Sequence, residues 1–318
     1  MYGHPIARQL EGWWKKHGGN EGSPEWHKFL DKYQEYLEIK KKEWTSPHEN
    51  IDDSGRKVYG MSSAGSCSRA ASLKLLGAPR DVLSGATKVT FFLGHSIEVM
   101  ALASMDVLGY ASNGTQNECT LEGVVNGKPE VVFRSKSDGE FKLIGTDTIL
   151  SVKSTAYKMS AQVKGKFVRR GFPELPFEGV RKAHPSAYLQ IQLEMAARGF
   201  SQGMFLYVSK DVVKAFENDE YVGEKGNGSL VFYAEVVGKD DEIVEQYIDI
   251  YSKQLELARN KSSAGDPMYP HKYTMAPVLL NKASYTPSNI WGGPNKELTG
   301  AFNPCGGCEV RGACASWT

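Results

Sequence analysis

The sequence predicts a mixed α/β domain behind a helical N-terminal region. Residues 130–153 have strand character, with two apolar-rich runs separated by a turn. Two further strand-like runs, GMFLYVSKD and SLVFYAEVV, follow later in the chain. Predicted helices cover residues 88–109, residues 185–199 and the segment DDEIVEQYIDIYSKQLELARN. The order of helix, strands, helix, strand, strand and helix is typical of a mixed α/β domain.

The first 60 residues are polar and predict helices. In EWHKFLDKYQEYLEIKKKEW the aromatic residues Trp26, Phe29 and Tyr33 recur at three- and four-residue spacing, which indicates an amphipathic helix. A turn-rich connector follows. The segment MSSAGSCSRAASLKLLGAP then predicts a short helix that ends near Gly77.

The two later helices each carry a local signal. The pair His184–Pro185 starts the helix over 185–199, because proline is favoured at the first helical position. The last predicted helix places its apolar residues on one face, which predicts that it packs on the core. These residues are Ile243, Val244, Tyr247, Ile248 and Tyr251.

Composition predicts a globular protein outside the membrane. Of the 318 residues, 41% are hydrophobic and 24% are charged, and the formal net charge is +1. No run of eighteen apolar residues is present, and the N-terminus lacks an apolar signal core. We therefore expect no membrane association and a cytoplasmic location. A near-neutral total leaves nucleic-acid binding open, since local clusters of Lys and Arg decide it.

Cysteine spacing predicts a metal site near the C-terminus. Cys305, Cys308 and Cys314 lie within NPCGGCEVRGAC, and an odd total of five cysteines argues against a disulfide framework. Three thiolates leave a fourth ligand position, which Cys67, Cys119 or solvent would fill. Four thiolates suit either zinc or an iron–sulfur cluster. The sequence therefore predicts a metal site that holds the ends of the fold together, with zinc and an iron–sulfur cluster both open at this point.

Asp138 and Lys153 are candidates for phosphodiester chemistry. Asp138 lies at the end of one predicted strand and Lys153 lies on the next, so a hairpin would place them side by side. A carboxylate in this position binds a divalent cation, and the cation activates water and neutralises phosphate charge. The lysine stabilises the charged transition state.

Four segments in order resemble the PD-(D/E)xK nucleases of the RecB-like exonuclease group. CSRAASLKLLG resembles the segment that donates the first cluster cysteine, and GHSIE resembles the motif I helix. SDGEF and SVKST resemble motifs II and III, and AYLQIQLEMAARGFSQGMFLYVSKD resembles the motif IV helix and the strand after it. The closing cysteines resemble the iron–sulfur versions found in CRISPR-associated RecB-like exonucleases and AddAB-type helicase–nucleases.

The resemblance implies a restriction-endonuclease-like core and assigns roles. Asp138 is the implied main metal ligand and Glu98 the implied second carboxylate, with Mg²⁺ or Mn²⁺ between them. Lys153 is the implied catalytic lysine. The backbone carbonyl of Val152 is a further implied metal ligand, and Gln190 is the implied motif IV glutamine.

The resemblance also implies a cofactor and contacts with DNA. Cys67 joins the three C-terminal cysteines as the implied fourth ligand of a [4Fe–4S] cluster, while Cys119 matches nothing. Tyr188, beside the motif IV glutamine, is an implied DNA contact. Basic residues between motifs III and IV, with aromatic residues among them, fit phosphate contacts and stacking along a strand. They are Lys158, Lys164, Lys166, Arg169 and Arg170.

One residue departs from the family pattern. Motif III should read acid, any residue, lysine, but here Ser151 precedes Val152 and Lys153. A serine hydroxyl is a weak neutral ligand, so its presence lowers the ligand charge on which metal affinity depends. The serine is engineered, the acid has moved to Glu140 or Asp147, or the protein is a weakened nuclease that mainly binds DNA.

Three regions and one activity follow from these assignments. Residues 1–84 form the helical region with the first cluster cysteine, 85–260 the nuclease core, and 261–318 a loop segment with the other three cysteines. We expect a metal-dependent exonuclease acting on DNA ends or single strands, in phage recombination or prokaryotic DNA processing. A recombination or helicase partner is compatible with it. The alternative is a DNA-binding protein of nuclease fold with little catalysis.

Overall fold

A computed structural model provides the structure of the chain. It describes residues 4–44, 50–64, 68–77, 85–110, 115–155, 159–163, 166–170, 179–181, 183–209, 214–217, 220–224 and 232–260. The helices are α1 (Ile6–His17), α2 (Pro24–Trp44), α3 (Ser68–Leu75), α4 (Gly85–Val107), α5 (Pro185–Arg198) and α6 (Asp241–Asn260). The strands are β1 (Tyr59–Gly60), β2 (Glu118–Val125), β3 (Lys128–Lys136), β4 (Gly139–Leu143), β5 (Thr146–Thr155), β6 (Met159–Val163), β7 (Lys166–Arg170), β8 (Gln202–Ser209), β9 (Lys214–Glu217), β10 (Glu220–Glu224) and β11 (Phe232–Gly238).

A mixed four-stranded sheet in the order β11–β8–β5–β4 lies at the centre of the described structure. β8 pairs antiparallel with β11 and parallel with β5, and β4 pairs antiparallel with β5. The strand-like runs GMFLYVSKD and SLVFYAEVV contribute β8 and β11. The predicted mixed α/β class is therefore confirmed.

Each face of this sheet is covered by its own set of helices. Phe205 and Tyr207 of β8 pack on one side with residues of α5 and α6. Met204 and Leu206 of the same strand pack on the other side with residues of α1, α2 and α4. Because side chains alternate along a strand, one apolar run in β8 supplies both cores.

Helix α5 begins and ends at defined residues. These limits determine which of its side chains share a face. Pro185 occupies its first turn, and Gly199 follows its last residue in the left-handed conformation at φ 67°. The amide of Phe200 donates to the Met195 carbonyl at 2.9 Å, which satisfies a carbonyl at the helix end. Within these limits Gln190, Glu194 and Arg198 recur every fourth residue and share one face.

A second sheet has the order β1–β3–β2 and was only partly predicted. Residues 130–141 were predicted as one strand, but the chain leaves β3 at Lys136 and enters β4 at Gly139, in the other sheet. Strand β2 was missed because Glu118, Thr120, Glu122 and Val124 are all exposed, so its apolar pattern is weak. Asn126 and Gly127, both at positive φ, form the two-residue turn to β3.

Asp52 connects the loop before β1 to α6. Its buried carboxylate accepts bonds from the Ser54 hydroxyl at 2.7 Å, from the Arg56 amide at 2.8 Å and from Arg56 Nε at 2.9 Å. Arg259 of α6 lies 3.6 Å away. Desolvation raises the pKa of Asp52, but these hydrogen bonds outweigh it and lower the pKa to about 2.

Replacing Asp52 with asparagine should therefore cost stability in a pH-dependent way. A lowered pKa stabilises the fold above the unfolded-state value near 4, and that contribution is lost as the pH falls through about 2. We expect Asp52→Asn to reduce the free energy of unfolding by about 2 kcal/mol at pH 6 and by clearly less at pH 3. Urea unfolding at both pH values measures this. Asp53→Asn is the matched control, since that side chain is 95% exposed; equal losses at both pH values would contradict the prediction.

Helices α1 and α2 pack together through aromatic rings. Trp13 and Trp14 of α1 contact Trp26 and Phe29 of α2, with ring centroids 5.1–6.4 Å apart. Trp14 Nε1 also donates to the Ser104 hydroxyl of α4 at 3.0 Å. The amphipathic helix predicted from the aromatic spacing is confirmed, and it packs against α1 and α4.

Helix α4 is buried along only part of its length. Its second half is buried through Val99, Leu102 and Met105, which pack in the core on the α1–α2 side of the sheet. Its first half leaves Phe91 and Phe92 more than 50% exposed. Among the helices that the structure describes, none combines the length and apolarity that crossing a membrane requires.

Candidate functional site

Asp138 lies immediately before β4 and is fixed by the neighbouring strand. Its Oδ2 accepts a hydrogen bond from the Val152 amide at 2.8 Å, and Lys153 Nζ lies 3.9 Å from the same oxygen. The β4–β5 hairpin therefore places Asp138 and Lys153 side by side. Burial and the negative charge of Glu98 raise the pKa of Asp138 to about 6, although Lys153, Lys40 and the Val152 amide oppose the shift.

Lys153 connects the hairpin to helix α5. It lies on the face of β5 that includes the buried Ile149 and packs toward α5. Its Nζ lies 3.5 Å from Gln190 Oε1, at the limit of a hydrogen bond. Asp138, Lys153 and Gln190, predicted from three separate motifs, are thus neighbours.

Glu98 projects from the buried half of α4 and contacts Lys40, His95 and Gln116. Lys40 Nζ of α2 donates to Glu98 Oε1 at 2.7 Å, and His95 Nδ1 lies 3.6 Å from Oε2. Gln116 Nε2 lies 3.4 Å from Oε1. Desolvation raises the pKa of Glu98, but His95 and Lys40 outweigh it, so the net shift is downward. Glu98 is therefore a charged carboxylate close enough to Asp138 to shift its pKa.

Ser151 lies beside Asp138 in the hairpin. Gly139 pairs with Leu150, so the register places Asp138 next to Ser151. The Ser151 side chain is 1% exposed, and its hydroxyl has no hydrogen-bond partner among the described residues. A buried hydroxyl without a partner is costly in a native protein, and such groups often mark a binding site.

The two acids considered as replacements for the motif III carboxylate lie elsewhere. Glu140 is bound by Arg198 of α5, with oxygen–nitrogen distances of 2.6 and 3.0 Å. Asp147 lies at the turn end of the hairpin, where its half-exposed side chain is 3.8 Å from Lys142. Glu140 is already neutralised by a cation, and Asp147 is four residues from Ser151 along β5.

Sequence reasoning missed two residues of this site. Lys40 reaches Glu98 from α2, and no local pattern distinguishes it from its lysine neighbours. Glu194 follows Gln190 by one helical turn and accepts a bond from its Nε2 at 2.8 Å. The i, i+4 spacing was visible in the sequence and could have identified Glu194. Burial and the charge of Asp138 raise the pKa of Glu194 to about 7.

The predicted DNA contacts divide into three groups. Tyr188 is buried in the core, and Arg181 lies over its ring at 5.4 Å, so this ring packs internally. Lys166, Arg169 and Arg170 lie on β7, which pairs with β6. Lys158 and Lys164 lie outside the described residues.

The cysteines predicted to bind the cluster also lie outside the described residues. They are Cys67, Cys305, Cys308 and Cys314. Cys119 lies on β2, is buried and forms no disulfide. Burial raises the pKa of its thiol to about 12, so it is an inert core residue.

The donors around Asp138 suit magnesium or manganese. In the described ranges no group of three or more His, Cys, Asp and Glu side chains is placed to hold a metal ion. Mg²⁺ does not require such a group, since it is commonly bound by one or two carboxylates, with water and substrate phosphates as the remaining ligands. Asp138 is a buried carboxylate under the influence of the negative charge of Glu98, and the Ser151 hydroxyl beside it has no partner among the described residues. This arrangement fits a site of this type.

Comparison with known proteins gives weak structural likenesses. No protein-family model matches the chain, and no curated protein matches its sequence. The structure is similar to that of SSO0001, at 14% identity and a TM-score of 0.37 over 80% of this chain and 100% of that one. It is also similar to LHK-Exo, an alkaline exonuclease from Laribacter hongkongensis, at 12% identity and a TM-score of 0.36 over 63% and 88% of the two chains. The LHK-Exo complex with dAMP gives 13% identity and a TM-score of 0.34 over 62% and 91%. Likenesses of this size support no argument about activity.

Proposed function

We propose that this protein is a metal-dependent exonuclease that hydrolyses phosphodiester bonds at DNA ends or in single strands. The proposal depends on one observation above all, the placement of Lys153 3.9 Å from Asp138 at the ends of adjacent strands. A carboxylate and an ammonium group this close offer one site for a cation and one for a phosphate. The RecB-like motifs around both residues supply the choice of DNA as substrate.

Each side chain of the site has its own proposed role in hydrolysis. A bound Mg²⁺ or Mn²⁺ would polarise the phosphate and lower the pKa of water. Asp138 would hold that ion, with Glu98 and the Val152 carbonyl as the other proposed ligands. The Lys153 ammonium would lie against the scissile phosphate and stabilise the charge that develops as water attacks phosphorus and the bond to the leaving oxygen breaks. Gln190 would position Lys153.

The remaining parts of the proposal concern the cluster and the substrate path. Cys67, Cys305, Cys308 and Cys314 would bind a structural [4Fe–4S] cluster that joins the start of the core to the C-terminus. The basic residues between motifs III and IV would contact DNA phosphates. The protein would act in the cytoplasm of a prokaryotic or phage-infected cell, alone or with a recombination or helicase partner.

Degradation of end-labelled DNA tests the activity. We expect shortening of single-stranded or blunt duplex DNA in Mg²⁺ or Mn²⁺, and none with chelator. Closed circular DNA is the matched control, because an exonuclease requires an end. Cleavage of the circle would show that the protein is an endonuclease and not an exonuclease. If neither substrate is cleaved, the proposed activity is wrong.

Ser151 favours a second candidate, a DNA-binding protein of nuclease fold with little catalysis. The serine removes one negative charge from the position where the family carries an acid, and metal affinity depends on that charge. Ser151→Glu separates the candidates. If Ser151→Glu degrades DNA and the unaltered chain does not, the second candidate is correct. Activity in the unaltered chain that Asp138→Asn abolishes would exclude it.

The colour of the purified protein tests the cluster. A [4Fe–4S] protein is brown, absorbs near 400 nm, and contains iron and acid-labile sulfide. We expect these properties in anaerobically purified protein and their loss in Cys308→Ser. Cys119→Ser is the control, since its buried thiol should leave the absorbance unchanged. A colourless protein that contains zinc would contradict the cluster and indicate a zinc site.

A further inference from the structure

The face of α5 contacts the β4–β5 hairpin at two positions. At one end Gln190 meets Lys153, with Oε1 and Nζ 3.5 Å apart. At the other end Arg198 meets Glu140, with 2.6 Å between nitrogen and oxygen. Glu140 pairs across the hairpin with Ile149, so these two contacts lie level with residues 153 and 149 of β5.

Glu194 is the middle position of that face, and Ser151 is the middle position of the strand. One helical turn separates Glu194 from Gln190 and from Arg198, so it lies between the two end contacts. Ser151 shares a strand face with Ile149 and Lys153, because alternate residues of a strand point the same way. The register therefore places the Glu194 carboxylate toward the unpartnered Ser151 hydroxyl.

Within the described residues, no cation donates a hydrogen bond to Glu194. The side chain is 1% exposed, and in the described part of the chain its hydrogen-bond donors are Gln190 Nε2 at 2.8 Å and the Ser135 hydroxyl at 3.3 Å, both neutral. Besides burial, the charge of Asp138 also acts on Glu194 and raises its pKa, while the Lys153 ammonium opposes that shift. Glu98 differs, because Lys40 and His95 contact its two oxygens.

We infer that Glu194 supplies the carboxylate that motif III lacks, and that it binds the catalytic divalent cation together with Asp138. The acid reaches the site from the helix, and Ser151 leaves space for it. Two carboxylates and substrate phosphates meet the requirement of Mg²⁺. In this arrangement Glu194 takes the ligand position proposed above for Glu98, and Glu98 positions α4 and α2 because Lys40 and His95 contact its two oxygens. This inference rests on the proposed nuclease function.

Mn²⁺ binding, measured by calorimetry on the metal alone, tests the inference without a substrate. We expect Glu194→Gln and Asp138→Asn each to weaken Mn²⁺ binding by roughly 10- to 100-fold. Glu118→Gln is the matched control, because its side chain is 53% exposed and paired with Arg134. Glu194→Gln should leave the thermal midpoint of the metal-free protein unchanged or higher, since it removes a buried charge beside Asp138. A merely structural glutamate would lower that midpoint.

Moving the carboxylate back to the strand provides the second test. In Ser151→Glu/Glu194→Gln the acid count is restored at the family position, and we expect both Mn²⁺ affinity and DNA degradation to recover relative to Glu194→Gln. If Glu194→Gln binds Mn²⁺ like the wild type while Asp138→Asn does not, the role of Glu194 is wrong and the proposed function stands. If the wild type neither binds Mn²⁺ nor degrades DNA, both are wrong.

Discussion

Asp138→Asn is expected to lower the rate of metal-dependent DNA degradation by about three orders of magnitude. A metal ion contributes several kcal/mol of charge stabilisation to the transition state, and each 1.4 kcal/mol corresponds to a factor of ten. The asparagine oxygen still accepts the Val152 amide hydrogen bond, which is 2.8 Å long in the native site. Single-turnover degradation of end-labelled DNA at saturating Mg²⁺ measures the loss.

The stability of the same variant separates function from folding. Because burial and Glu98 raise the pKa of Asp138, the charged carboxylate is unfavourable in the fold without metal. Asp138→Asn should therefore melt no lower than the wild type. Asp147→Asn, half exposed on the same hairpin, should keep full activity. An active Asp138→Asn enzyme would rule out Asp138 as the main metal ligand.

Lys40→Met on α2 is expected to destabilise the fold strongly. Lys40 is 5% exposed and Glu98 8% exposed, with 2.7 Å between nitrogen and oxygen. Removing one partner of a buried ion pair leaves an uncompensated charge and costs about 3–5 kcal/mol. His95 and Gln116 still contact Glu98, so we expect about 3 kcal/mol, a large share of the stability of an ordinary domain.

Lys41→Met is the matched control for this prediction. Its side chain is 64% exposed and lies 3.7 Å from Glu38, a surface pair that contributes little. Urea unfolding should show no more than about 0.5 kcal/mol for Lys41→Met. The double variant Lys40→Met/Glu98→Gln should recover much of the loss, because it also removes the stranded charge. A Lys40→Met protein as stable as Lys41→Met would contradict the buried pair.

The sequence predicted those parts of the site that local pattern determines. Asp138 and Lys153 are joined by one hairpin, so turn and strand signals suffice to bring them together. Gln190 lies on a helix with a proline start and a glycine end, which fixed its bounds. Each of these residues could be placed from its neighbours in the chain.

The roles of Lys40 and Ser151 could not be predicted from local sequence pattern. Lys40 lies in a run of lysines, and only the tertiary contact between α2 and α4 distinguishes it from Lys41 and Lys42. Ser151 departs from the family pattern, but of the two acids considered in its place Glu140 is paired with Arg198 and Asp147 lies at the turn end of the hairpin. The i, i+4 spacing places Glu194 on the helix face of Gln190, but only the structure shows that this face meets β5.

The strands between β5 and α5 show a similar limit. β6 and β7 form a hairpin where the sequence analysis predicts only a basic segment; each strand has five residues, too few for a clear alternation. β2 is not predicted because one of its faces is exposed. Strands that bury little apolar surface have little periodicity to detect.

The order of the site residues along the chain has a consequence during synthesis. Lys40, Glu98, Lys153 and Glu194 come from four separate elements and Asp138 from the link before β4, and the last of these residues lies on α5. A growing chain that has not yet released α5 from the ribosome lacks one wall of the site. The proposed nuclease activity therefore has to wait until α5, which ends at Arg198 of the 318 residues, has been translated and folded, and this delay keeps that activity out of the early stages of synthesis.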